Sequence, residues 1–356
     1  MLGILADWRA AEGALRKAAA SVGKGSGKRG GKAKSRLLAK TKLLAPVRFP
    51  SAIYCAGSNY ADHAAEMAAR DGRGPPPDPH TLGLKAWHFI KAPRAIADPG
   101  TRVKISGYCE QMDWEVELAA VIGRAAKDVP QDKALSYIAG YTVANDLSAR
   151  DRGRRANMPD ASPFKWDWTK HKTFDGSCPL GPWIVPASDI GDPQKLGLKL
   201  WVNGVLKQDS NTSEMIFTLA EQIAQLSAGM TLHPGDIVLT GTPAGVGAGR
   251  NEFLKAGDVV KLWIEKIGDI ENRMVWRAGT KPGVDSARPR ESGDPVFAIS
   301  VVRLDSRFRG NERKGRLERP GIAGHTLSPS LALLLCARSM PRPRFDRERP
   351  GRAKKP

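Results

Sequence analysis

The stretch Asp113-Trp114-Glu115-Val116-Glu117-Leu118-Ala119-Ala120-Val121-Ile122-Gly123 constrains this chain more than any other. It begins in strict alternation and ends in an apolar run closed by Gly123, a pattern that predicts a strand. Side chains on a strand alternate between faces. Glu115 and Glu117 therefore share one face, while Trp114, Val116 and Leu118 turn to a core on the other. Two carboxylates on one face repel each other unless something positive lies between them. A divalent cation that prefers oxygen ligands, Mg²⁺ or Mn²⁺, meets that need. An ordinary half-exposed strand with two solvated glutamates also fits the pattern, so the stretch alone leaves both readings open.

Charge is uneven along the 356 residues. The formal net charge of +19 comes from the ends. Residues 1–45 carry 11 Lys/Arg against 2 Asp/Glu, and residues 277–356 carry 19 against 8. The 231 residues between them carry 26 against 27. The middle is thus a near-neutral globule of sufficient length for a large core. The high pI says nothing about its substrate, only that the ends could associate with nucleic acid or acidic surfaces. Residues 22–34 (VGKGSGKRGGKAK) are Gly/Lys low-complexity and are expected to be disordered; they lack the spacing of a phosphate-binding loop. Cys55, Cys109, Cys178 and Cys336 form no CxxC pair, which predicts free thiols in a reducing compartment. No apolar run is long enough for a membrane span, and no signal-peptide pattern opens the chain, so the expectation is a cytoplasmic protein.

Taken in order, residues 3–20 predict an amphipathic helix with Leu5, Trp8 and Leu15 as apolar contacts. Ile53 to Gly57 reads as a short strand, and Asp62 to Arg70 as a helix. On that helix His63 and Glu66 are three apart and share a face. A carboxylate fixes the tautomer of a histidine and stabilises its imidazolium, which makes the pair a candidate general base. A plain surface contact explains the pair equally well. Ala86 to Lys91 is strand-like and delivers Lys91. Gly140 to Ala144 is another strand, ending at Asn145-Asp146, where a third metal ligand could sit; Asn-Asp is also a common turn.

Six segments in this order, YCAGSNYADHAAE, DWEVELAAVIG, GYTVANDLSARD, KTFDGSCPLGPWIV, NGVLKQDSNTSEMIF and LTGTPAGVG, resemble the fumarylacetoacetate hydrolase family in its single-domain C-terminal form. The resemblance covers roughly residues 43–276. It implies a mostly β fold with short helices (α+β), a rolled mixed sheet usually assembled as a homodimer. It divides the chain into a basic low-complexity extension (1–42), a catalytic domain (43–276) and a basic Arg/Pro/Gly-rich tail expected to be disordered (277–356). It assigns Glu115, Glu117 and Asp146 to the metal, Mg²⁺ or Mn²⁺. It assigns His63, Glu66 and Lys172 to catalysis, and Lys91, Gln208, Gly241 and Thr242 to binding a small oxo-acid substrate. No membrane and no specific nucleic-acid partner is implied.

The chemistry that follows from the resemblance is C–C bond hydrolysis of a 2,4-dioxo acid. His63, oriented by Glu66, activates water, and the electrons end in a metal-bound enolate near Lys172. The family also holds 2-hydroxyhepta-2,4-diene-1,7-dioate isomerases and oxaloacetate decarboxylases, and side-chain pattern does not choose among them. The turn Gly241 to Gly247 is expected to turn backbone N–H groups toward an anionic ligand. The chain departs from the common pattern in carrying His171 where Gly is usual before the lysine, in an aromatic and Pro-rich stretch at 157–167, and in a long segment at 68–84. Within the tail, PRESGDPVFAISVVRLDSRFRGNE resembles the translated product of dispersed bacterial intergenic repeats.

Overall fold

A computed structural model describes residues 1–22, 41–105 and 109–276, all within one compact unit. Expectations placed on 23–40 and 277–356, their disorder and the Cys336 thiol included, lie outside the described residues. The strands in chain order are β1 (Ile53–Ala56), β2 (His88–Lys91), β3 (Ile96–Ala97), β4 (Arg102–Ile105), β5 (Met112–Asp113), β6 (Val116–Ile122), β7 (Ile138–Asn145), β8 (Ser148–Ala149), β9 (Cys178–Pro186), β10 (Gly197–Val202), β11 (Val205–Asn211), β12 (Ile237–Leu239), β13 (Val259–Ile264) and β14 (Gly268–Trp276). The helices are α1 (Leu2–Leu5), α2 (Trp8–Val22), α3 (Ala61–Arg70), α4 (Gln131–Ala134), α5 (Arg150–Gly153), α6 (Trp168–Lys172), α7 (Ala187–Ile190), α8 (Leu219–Gly229) and α9 (Gly247–Arg250).

A seven-stranded sheet runs β2-β1-β12-β6-β7-β9-β3, and a five-stranded sheet runs β11-β10-β13-β14-β4. Both are mixed: β1–β12, β3–β9 and β4–β14 pair in parallel, and the other neighbours are antiparallel. The five-stranded sheet packs across β6, β7 and β9. This is the rolled mixed sheet with short helices that the sequence led us to expect.

The glutamate stretch forms the centre of the larger sheet, between β12 and β7. The strand is interrupted at Trp114-Glu115 rather than continuous from Asp113, yet the alternation persists through the break. Trp114, Val116, Leu118, Ala120 and Ile122 enter the core between the sheets, together with Leu198, Leu200, Val260 and Leu262. Ala119 and Val121 enter a second core on the opposite face, with Ile53, Cys55, Ile237 and Leu239. Every residue of β6 is buried. The reading of a half-exposed strand with solvated glutamates therefore fails, because a central strand covered on both faces has no solvent side.

The second core also takes Leu5 and Trp8. The helix read over 3–20 forms as α1 and α2. It is anchored by Arg16, which pairs with Glu12 at 2.9 Å and with Asp189 at 2.6 Å. Its sequence basis is the Leu5/Trp8 spacing, and its stability comes from burying that face rather than from local propensity.

His88, on β2, is mostly buried, and its Nε2 has no hydrogen-bond partner. Burial pushes its imidazole down to about 4. The folded state therefore resists a proton that the unfolded chain accepts near pH 6.5. Stability from this group is intact above that pH and declines as the pH falls toward 4. We expect the unfolding free energy measured in urea to drop between pH 7 and 4.5, and the drop to shrink by about 2 kcal/mol in His88→Gln. An unchanged pH slope in the variant would show that His88 is not the group responsible.

Candidate active site and cation centre

The antiparallel register of β6 and β7 sets Val116 opposite Asn145. The residues just outside that pair are Glu115 and Asp146, and Asp146 N donates to Glu115 O at 2.9 Å. Glu117 lies one strand period beyond Glu115 on the same face. Carboxylate oxygens of Glu115, Glu117 and Asp146 consequently lie within 4.8 Å of one another. All three are buried, the most exposed at 4%.

Three cations enter from other elements. Lys172, the last residue of α6, donates from Nζ to Glu115 Oε2 and Asp146 Oδ2, each at 2.7 Å. Lys91, at the end of β2, bonds Asp146 Oδ1 and Leu147 O. Arg150 opens α5 and spans two acids, with Nε to Asp113 Oδ2 at 2.8 Å and Nη2 to Glu115 Oε1 at 2.6 Å. Ser148 Oγ also donates to Glu115 Oε1, at 3.2 Å. Burial opposes ionisation of Asp146, but Lys172 and Lys91 outweigh it and hold the carboxyl below the usual range. Burial likewise works against the charge on Lys172, and Asp146 and Glu115 outweigh it and raise the ammonium above its ordinary value.

Glu117 differs from its neighbours. It accepts from Gly241 N at 2.8 Å, and no basic side chain forms an ion pair with it among the described residues. Burial, then the charges of Asp146 and Glu115, push it well above the usual carboxylate range. A buried carboxylate without a cation, beside two more hard oxygen donors, fits a divalent ion such as Mg²⁺ or Mn²⁺. Glu115, Glu117 and Asp146 are the residues that would hold it.

The glycine-rich loop after β12 was expected to turn its N–H groups toward a ligand. It spends them on the protein's own carboxylates. Gly241 N serves Glu117, Gly245 N serves both oxygens of Glu66 at 3.0 Å, and Gly247 N and Ala248 N serve Asp113 at 2.6 and 2.9 Å. Gly241 and Gly245 have φ near +97°, a region that favours glycine. At Gly245 a Cβ would also lie 2.0 Å from Lys207 O.

His63 and Glu66 share a face of α3, with Nδ1 3.5 Å from Oε2. Burial works against the charge on Glu66, but its bonds with His63 and Gly245 N outweigh that and keep the carboxyl below its ordinary value. Because Nδ1 faces Glu66, His63 Nε2 has no protein partner among the described residues. A cavity of ≈ 70 Å³ is lined by His63, Glu115, Glu117, Arg150, Lys172 and Thr242, together with Trp87, Phe89, Trp168 and His171. Phe89 stacks on Trp168 with centroids 5.4 Å apart, and Trp87 meets Trp168 edge-on at 5.3 Å.

The fold thus brings His63, Glu115, Glu117, Lys172 and Thr242 to one cavity, with Glu66 bonded to His63 and Asp146 bonded to Lys172. The others take positions around it. Lys91 is wholly buried behind Asp146. Gln208 is also wholly buried: its Oε1 accepts from Val116 N, and its Nε2 donates to Thr242 Oγ1 and Pro243 O. Gly241 contributes its N–H to Glu117. Sequence reasoning missed Arg150 and Asp113. Both lie inside quoted motifs, and the available signal was electrostatic: three clustered acids need more positive charge than one lysine. It also missed the aromatic wall, whose members are far apart in sequence.

The chain matches the family model "Fumarylacetoacetate (FAA) hydrolase C-terminal" over residues 52–275, and it belongs to that family of enzymes. It is 42% identical over 235 residues to a mitochondrial oxaloacetate tautomerase of Xenopus laevis, covering 65% of this chain and 68% of that protein. It resembles the crystal structure of 2-hydroxyhepta-2,4-diene-1,7-dioate isomerase from Mycobacterium marinum (TM-score 0.55, 36% identity, 69% of this chain and 82% of that one). It also resembles maleylpyruvate hydrolase from Sphingobium sp. SYK-6, solved with manganese(II) and pyruvate (TM-score 0.58, 28% identity, 78% of this chain and 85% of that one). Among the described residues no helix is long and apolar enough to cross a membrane.

If the triad holds a cation, Mn²⁺ titrated into the protein and followed by electron paramagnetic resonance should bind at one site. Glu117→Gln should weaken that binding by about tenfold or more, since ligand charge sets affinity in such sites. Glu66→Gln, which alters no triad ligand, should leave it nearly unchanged. Tight binding in Glu117→Gln would remove this residue from the ligand set.

Proposed function

We propose that this enzyme acts on short 2-oxo acids with a divalent cation, and that its residues perform proton transfer at C3, the carbon beside the oxo group. The observation that carries the reading is the cavity that His63 shares with Glu115 and Glu117, two of the three clustered acids. A cation held by Glu115, Glu117 and Asp146 would polarise the 2-oxo group and offset the charge of an enolate. The chain's own groups do the rest. His63 Nε2 takes the proton from C3, and Glu66 at Nδ1 fixes the tautomer and stabilises the imidazolium that results. Lys172 contributes fixed positive charge where negative charge develops on the 2-oxo oxygen. Trp87, Phe89 and Trp168 line the cavity beside these charges. Return of the proton at C3 or at oxygen interconverts keto and enol forms. The small cavity favours a compact substrate such as oxaloacetate, as does the similarity to an oxaloacetate tautomerase.

A second reading keeps the apparatus and lets His63 Nε2 deprotonate water for attack on C4 of a 2,4-dioxo acid, with cleavage of the C3–C4 bond. His63 and Glu66 favour it because both are partly exposed, their side chains at 11% and 20% of full accessibility, so water can reach the base.

Two assays separate the readings: C3 hydrogen–deuterium exchange and keto–enol interconversion of oxaloacetate, and pyruvate release from acetylpyruvate. Whichever occurs, His63→Ala should lower kcat by about 10²–10⁴-fold, the usual contribution of a positioned general base, with Mn²⁺ binding retained. Full activity in His63→Ala would eliminate the assigned base.

A further inference from the structure

His171 is left over from the machinery just described. It is 6% exposed, and neither ring nitrogen has a hydrogen-bond partner. Burial, reinforced by the charges of Lys172 and Arg150, pushes its imidazole down to about 2, so it is neutral. A neutral imidazole carries one N–H donor and one acceptor nitrogen. A buried polar side chain with both unspent is costly, and such groups in native proteins have a reason. Packing alone offers none, since an apolar side chain of similar size would fill the position without the desolvation penalty.

The position of the ring indicates what it is for. α6 presents Trp168 and His171 three residues apart, on neighbouring turns of one face. Their ring centroids are 5.5 Å apart. On the other side the ring rests on Gly153, where a Cβ would come within 2.8 Å of it. Both His171 and Arg150 line the same cavity as Glu115, Glu117 and His63. Arg150 spends Nε and Nη2 on Asp113 and Glu115. The lining of the cavity therefore includes an unspent imidazole together with a guanidinium, two of the clustered acids and three aromatic rings.

We propose that His171 is a substrate-contacting, specificity-determining residue that donates a hydrogen bond to a second carboxylate of the substrate, so that the site prefers 2-oxo dicarboxylic acids over 2-oxo monocarboxylic acids of similar length. This rests on the 2-oxo acid reading above and narrows its substrate class. The 2-oxo acid end engages the cation centre, C3 faces His63, and the distal carboxylate meets His171 beside the positive charge of Arg150. A charge-assisted hydrogen bond of this kind discriminates strongly, because a substrate without the carboxylate leaves the buried imidazole unpaired.

The test compares oxaloacetate with 2-oxobutanoate in wild type, His171→Leu and His171→Asn, all with saturating Mg²⁺. Turnover is read as C3 hydrogen–deuterium exchange by NMR, and affinity by isothermal titration. We expect His171→Leu to lower kcat/KM for oxaloacetate by about 10–100-fold, to leave 2-oxobutanoate within about twofold, and to leave Tm unchanged or higher. His171→Asn, which keeps a donor, should recover part of the loss. Equal losses on both substrates, or a lowered Tm with no change in preference, would overturn the assignment and leave His171 a structural residue. If wild type exchanges neither substrate but binds oxaloacetate more tightly in a His171-dependent way, the proposed reaction falls and the subsite stands. If both substrates exchange and His171→Leu does not change the preference, the subsite falls and the reaction stands. Neither exchange nor selective binding would overturn both.

Discussion

The structure depends on keeping a group of carboxylates charged, or poised to be charged, inside a protein. Asp113, Glu115, Glu117 and Asp146 are all buried, and taking an ionised carboxylate out of water without compensation is among the costliest steps in folding. The compensation is spread over the chain. Lys91 comes from one edge of the larger sheet, Arg150 and Lys172 from two short helices, and N–H groups from the loop after β12. Each partner is far from the acids in sequence, so the site forms only when the domain does. The cations do not neutralise it completely. Glu117 accepts a backbone N–H and has no ion pair among the described residues.

The loop from Gly241 to Ala248 shows how closely scaffold and site are joined. Its N–H groups hold Glu117 of the triad, Glu66 of the dyad and Asp113 behind Arg150. One short segment thereby fixes the acidic triad relative to the His63–Glu66 pair. Backbone donors suit this task, because they add favourable dipoles without adding a full charge that would compete with the ion. Glycine is needed at Gly245 for two separate reasons, the positive φ and the close approach of Lys207 O.

Across the cavity the environment changes from ionic to aromatic within the span of one short helix. Lys172 bridges two acids, His171 sits one residue earlier, and Trp168 one turn earlier stacks on Phe89. Proteins with tautomerase, isomerase and hydrolase names are among the relatives and structural neighbours of this chain, so the family alone does not choose the reaction. This short helix lines the cavity through Trp168, His171 and Lys172. That is where this chain carries His171 in place of the glycine that the family pattern led us to expect.

Much of this was legible in the sequence. The period-two alternation alone placed Glu115 and Glu117 on one face and Trp114, Val116 and Leu118 on the other, because pleating depends only on local backbone geometry. The three-residue spacing of His63 and Glu66 put them on one face of α3 for the same kind of reason. The order of six motifs carried the fold, as well as the membership of Asp146 and Lys172 in the site. Three things were decided by tertiary structure. Burial of β6 on both faces followed from its place between β12 and β7, and strand order is not written in the strand. The roles of Arg150 and Asp113 followed from an electrostatic balance among residues that meet only in space. The loop N–H groups turned inward because folded carboxylates, already desolvated, needed them more than any ligand did. Local periodicity is set by bonds along the chain, whereas the pairing of buried charge is set by which segments the completed core brings together.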